Sequence, residues 1–149
     1  AWLDGLLSNR IPKNVGRINL CYLLSENGGV RSEFTVFREA VERFYLVSAG
    51  AMERHDFDYL VKLLPVDGSV SLHKVTTQNG VFVIAGPHAR DVLQKVTDAS
   101  LANGDFKWLS VKTIDVGSAY SRASAVLGAA DATPAHARCR AYSAASKIR

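Results

Sequence analysis

Glu33 is the side chain best placed in this sequence to do chemistry. It lies in VRSEFTV, between Ser32 and Phe34, in a run whose apolar residues alternate. A carboxylate in mid-strand is held by a rigid element, as a catalytic group should be. Such a group can stabilise a developing cation or carry a proton. The competing reading is a solvated strand face, where most charged side chains lie. Other candidates are thinner. Gly86-Pro87-His88 marks a helix start whose backbone N–H groups could hold an anion, although a plain strand-to-helix turn explains it as well. His55 with Asp56 and Asp58 resembles half a metal site, but Asp56 and Asp58 cannot share a helix face. A first helical turn with its charges in solvent is the better reading there, and no metal site is expected. His73 stands alone on an extended run and reads as structural. Gly28-Gly29 does not precede a helix, so it is no phosphate loop. No Ser/His/Asp or Cys/His nucleophile pattern is specific. Cys21 and Cys139 are too few and too far apart for a disulfide framework or a metal site. Cys21 reads as a small buried strand residue, and a reducing compartment fits.

Glu33 must be positioned by the hairpin GRINLCYLLSENGGVRSEFTV. Two alternating runs flank the polar turn Ser25 to Gly29, a strong short-range hairpin signal. Ile18, Leu20, Tyr22 and Leu24 share one face of the first arm. On the second arm Val30, Ser32, Phe34 and Val36 share one face, and Arg31, Glu33, Thr35 and Phe37 take the other. Gly16–Leu24 and Val30–Phe37 should therefore pair antiparallel, with Glu33 facing a cavity. A helix already under way opens the chain in AWLDGLLS, which suggests a true N-terminus further upstream. RFYLVSA returns as a third strand after a turn at Glu39 to Glu42. Ala51 to Leu64 reads as helix, because Phe57, Leu60, Val61 and Leu64 recur at helical spacing, and Pro65 ends it. Ser69 to Thr76 alternates as a fourth strand, and VFVIA after Asn79-Gly80 reads as a short central strand. A second helix should start with Pro87 at its first position and bury Ala89, Val92, Leu93 and Val96. Phe106 to Val116 reads as extended. Short turns between adjacent strands imply a mainly antiparallel sheet with packed helices, an α+β fold.

The chain has 149 residues, 48% hydrophobic and 21% charged, the composition of a globular domain or a fragment of a larger protein. No run reaches the length of a membrane span and no signal-peptide pattern opens it, so no membrane partner is expected. The net charge of +4 is not spread evenly. Residues 117–149 hold five of the 18 Lys+Arg and one of the 14 Asp+Glu, leaving 13 of each in residues 1–116. A neutral body argues against a phosphate-binding surface, and no nucleic-acid partner is expected. The segment 117–149 also holds 11 Ala and 5 Ser with no traceable apolar period. It reads as a surface helix plus a disordered end. It reads equally as a non-native continuation, since Ala, Arg, Ser, Gly and Pro are what a frame error in a gene rich in G and C produces. The expected division is a domain over 1–116 and a basic tail over 117–149.

From Trp2 to Gly117 the chain resembles the folate-binding aminomethyltransferase domain shared by the glycine cleavage T-protein and the C-terminal half of dimethylglycine and sarcosine dehydrogenases. The hairpin NLCYLLSENGGVRSEFTV matches without gaps and YLVSAG matches the third strand. HDFDYLVKLLPVDGSVSLHKVT, IAGPHARDVLQKVT and VKTIDVG are closer to the dehydrogenase branch. The resemblance implies an incomplete domain that binds tetrahydrofolate and passes it a one-carbon unit held as an aminomethyl group or iminium. It places Glu33 where the family has an Asp beside the reacting folate nitrogens. It places Leu20 and Val47 at apolar contacts to the folate rings. The family Asn that hydrogen-bonds the pterin falls on Ala49, which has no side-chain donor or acceptor. A Tyr/Gly/Glu stretch that follows the VG of Val116-Gly117 in the family has no counterpart in SAYSRASAVLGAADATPAHAR. The FAD-binding half of the dehydrogenases is not within these 149 residues. The implied partners are folate, a small amine-derived one-carbon donor and an oxidoreductase domain. The implied location is the cytoplasm, or the mitochondrial matrix in a eukaryote. A non-catalytic interaction module or inactive copy on the same scaffold is the rival reading.

Overall fold

The computed structural model describes residues 2–82, 84–117, 122–127 and 144–148, the last two segments through their backbone alone. The chain divides into two units, described separately. The first runs to Val81 and takes in the last strand; the second starts at Phe82.

In the first unit a short helix α1 (Trp2–Leu6) precedes β1 (Ile18–Leu24), β2 (Val30–Ala40) and β3 (Arg43–Ser48). A 3-10 turn at Gly50–Met52 leads into α2 (Glu53–Lys62), followed by β4 (Leu72–Lys74). All pairings are antiparallel, and with the closing strand β7 (Ala144–Ile148) the sheet runs β1-β2-β3-β7-β4. The hairpin forms as its alternation requires. Ser25 N–H donates to Gly29 O at 2.8 Å, and Gly28 N–H donates to Ser25 O at 2.9 Å, with Gly28 at φ 80 where a side chain would be strained.

One sheet face carries the core. Cys21 and Leu23 of β1, Phe34 and Val36 of β2, and Phe44 and Leu46 of β3 pack against Leu3 and Leu7 of the α1 segment and Leu60 of α2. The buried face of β1 is thus that of Cys21 and Leu23. Leu20 and Leu24 lie on the other face, Leu20 being 41% exposed. Ile18 shares their parity but is covered, opposite Phe37, whose ring stacks on Tyr45 at 4.7 Å. The Trp2 indole N–H donates to Leu63 O at 2.8 Å and ties α1 to the end of α2. The outer edge of β1 is capped by the segment before it: Ser8 N–H and Asn9 Nδ2 donate to the carbonyls of Tyr22 and Leu20. That leaves less open edge for another strand to pair with.

The second unit contains α3 (Ala89–Gln94), β5 (Ser110–Asp115) and β6 (Arg122–Leu127), the two strands paired antiparallel over six residues. Its core is Leu101, Phe106 and Ile114. Gln94 organises the connector, donating to the carbonyls of Thr97 and Ala99 and accepting from Leu101 N–H.

The antiparallel sheet with few helices agrees with an α+β fold, and several elements differ from expectation. The fourth strand shrinks to Leu72–Lys74, with a 3-10 turn at Thr76–Gln78. VFVIA is not a strand at its described positions; Val81, Phe82 and Ile84 are exposed, Phe82 at 92%. The α3 helix begins at Ala89, two residues after Pro87. Of its expected buried face, Leu93 packs partly on the core, whereas Val92 and Val96 are exposed. Within 117–149 the described backbone forms β6 and β7, and β7 pairs five residues with β3 and three with β4.

Candidate functional site

The residues expected to bind and react are brought together by strand register. Tyr22 pairs with Glu33, Leu20 with Thr35, and Thr35 with Val47. Alternation then puts Leu20, Tyr22, Glu33, Thr35 and Val47 on the sheet face opposite the core. Ala49 lies just past β3, in extended conformation at φ −64, ψ 129, and is exposed. Continuing the β2–β3 register by two residues sets it across from Glu33. Glu33 and Val47 are half-buried. Glu33 thus lies directly across from Tyr22 and diagonal to Leu20 and Val47, with Thr35 between those two, on a partly open face. Such a face suits a flat ring lying against Leu20 and Val47 with polar atoms toward Glu33.

A cleft of about 410 Å³ lies in the second unit, lined among others by Gln94, Thr97, Thr113, Ile114 and Asp115, and none of the expected site residues lines it.

A second polar cluster was misread from sequence. Asp56, expected in solvent, is buried at 3% exposure. Its Oδ1 lies 3.2 Å from His55 Nδ1, and His55 Nε2 lies 3.3 Å from a terminal nitrogen of Arg31. The Arg31 guanidinium also sits 3.7 Å from the centre of the Tyr59 ring. The His-Asp adjacency was visible in the sequence; its burial and its link to Arg31 come from tertiary packing. Among the described residues no group of His, Cys, Asp and Glu could hold a metal ion. His88 is exposed and paired with Asp91 at 3.2 Å, and His73 with Ser71 at 3.2 Å, both local contacts. The six-residue α3 is too short to act as an anion-binding helix. Burial, with Asp4 adding to it, pushes the Cys21 thiol up to about 11, so it is no nucleophile at neutral pH.

The family model of the GCVT N-terminal domain matches residues 1–127. The chain belongs to this family. Over 115 residues, 76% of this chain, it is 36% identical to "Dimethylglycine dehydrogenase, mitochondrial" of Mus musculus and of Homo sapiens, covering 13% of each. Over 107 residues, 71% of this chain, it is 31% identical to the aminomethyltransferase of Listeria welshimeri, covering 29% of it. The chain thus spans less than a third of the length of these relatives. Among the described residues no helix is long and apolar enough to cross a membrane.

Proposed function

We propose that this chain is part of a tetrahydrofolate-dependent aminomethyltransferase-type domain, with Glu33 as its reacting-site carboxylate. The observation that carries the reading is the register that sets Glu33, Leu20 and Val47 on one sheet face. The names of its relatives, dimethylglycine dehydrogenase and aminomethyltransferase, point the same way. Bound tetrahydrofolate would supply the nitrogen that accepts the one-carbon unit. Leu20 and Val47 would hold its rings by apolar contact. Glu33 would stabilise positive charge on the incoming one-carbon donor and move a proton to or from a ring nitrogen. A donor arising from amine oxidation calls for association with an oxidoreductase domain, as in dimethylglycine dehydrogenase, and for a cytoplasmic or mitochondrial-matrix setting.

The fit is incomplete at Ala49, which lies exposed just past β3 and offers no side-chain hydrogen bond. That observation favours a second reading, a non-catalytic module on the same scaffold. Glu33→Gln decides between the two, because it removes the charge and keeps the shape. With tetrahydrofolate and formaldehyde supplied, the transfer reading expects binding to persist and one-carbon transfer to fall by at least about a hundredfold, within the range of general acid–base catalysis. Equal transfer in both proteins would remove Glu33 from the chemistry, and no transfer in wild type would leave the module reading.

A further inference from the structure

We infer that Arg31, held by Tyr59 and by a His55 that Asp56 orients, is a positioning residue that sets the face on which Glu33 stands. The inference rests on the proposed role of Glu33 but stands on its own geometry. The turn fixes Leu24 opposite Val30, yet the next pair is Leu23 with Ser32, so Arg31 is an extra residue in β2. That one-residue insertion decides parity. Had pairing continued regularly from Leu24–Val30, Glu33 would oppose Cys21 and point into the core; with Arg31 bulged out, it opposes Tyr22 and points away.

The bulged side chain is caught by α2. Asp56 is acceptor-only as a carboxylate, so the nearby His55 Nδ1 carries the ring proton. Nε2 is then left as an acceptor for the Arg31 guanidinium. Tyr59 supplies the ring face beneath the same cation. Arg31 Nε and Asp56 Oδ2 are both buried with no hydrogen-bond partner. Buried polar atoms of this kind are costly to leave without partners, so the clasp is a polar device retained in the fold at some cost in stability.

Hydrogen exchange on the 149-residue chain tests this. In Arg31→Ala and in His55→Ala, amides of residues 30–33 should exchange about tenfold faster or more, the loss expected for a hydrogen bond to a charged group. Amides of β3 should be unchanged. Tyr59→Phe keeps the ring face and should behave as wild type, whereas Tyr59→Leu should not. The Arg31→Ala/His55→Ala double variant should exchange no faster than either single one, because both break one clasp. Unchanged exchange at 30–33, or additive effects, would overturn the clasp. In a transfer assay, Arg31→Ala should lower kcat and leave the tetrahydrofolate Kd unchanged. Faster exchange with unaltered kcat would overturn the positioning role. A wild type without transfer would count against the proposed function, and the exchange result would still judge the clasp.

Discussion

Phe34→Ala measures the parity that places Glu33. Phe34 is 2% exposed and packs in the core with Cys21, Leu23 and Leu46. A buried aromatic side chain removes about 150–250 Å² from water. Truncating it forfeits that transfer energy and leaves a void, together about 3–5 kcal/mol. Whole-domain stability is about 5–15 kcal/mol, so this is a large share of the total. With a urea slope of roughly 1–3 kcal/mol per M, the midpoint should fall by roughly 1–5 M with the slope unchanged. Thr35→Ala, one residue on and facing the other way, should cost less than about 1 kcal/mol. Because faces alternate, a core-facing Phe34 requires Glu33 to face away. Equal costs at the two positions, or a larger cost at Thr35, would refute the register and with it the placement of Glu33.

Truncation after Gly117 removes β7 from between β3 and β4; urea unfolding should show a loss well above about 1 kcal/mol, and a smaller loss would make 117–149 a separable tail. Burial raises the Cys21 thiol from 9.0 to about 11, with Asp4 adding to it, and burial, then Glu39, raises the Tyr45 phenol. Both are acids that the fold keeps neutral, so the unfolded chain releases these protons first. Their contribution is whole below the unfolded pKa and is lost as pH rises, for Cys21 between pH 9 and about 11. The stability difference between wild type and Cys21→Ala should therefore shrink over that window, and a difference independent of pH would contradict it. Alkylation of Cys21 by iodoacetamide at pH 7.5 should be slow in the folded chain and rapid in urea, as followed by mass spectrometry.

The hairpin was legible because each of its residues states its face by alternation and its turn is fixed by local hydrogen bonds. Helix α2 was legible from the spacing of Phe57, Leu60, Val61 and Leu64, with boundaries within two residues. VFVIA misled because a short apolar run carries no period to separate a central strand from an exposed connector. β7 was hidden for the opposite reason. Its Ala144-Ala145-Ser146-Lys147-Ile148 segment has no strong apolar alternation, yet every residue brings a backbone donor and acceptor that a sheet can pair. The bulge at Arg31 was invisible because it depends on the offset between turn and core. The contact between His55 and Arg31 joins side chains 24 residues apart, which no local pattern records.

Thermal unfolding with and without tetrahydrofolate tests the central claim most directly. If the face bearing Glu33, Leu20 and Val47 takes folate, the ligand should stabilise the chain by about 2.7 kcal/mol at a hundred times its dissociation constant. Ala49→Asn should tighten binding by supplying a side-chain amide just past β3. A hydrogen-bonding group left unmet costs about 1–3 kcal/mol, so the gain should be about one to two decades in Kd. A melting temperature that rises with tetrahydrofolate, and rises further at equal concentration in Ala49→Asn, is the predicted result. Millimolar tetrahydrofolate leaving both proteins unmoved would contradict a working folate site in this chain.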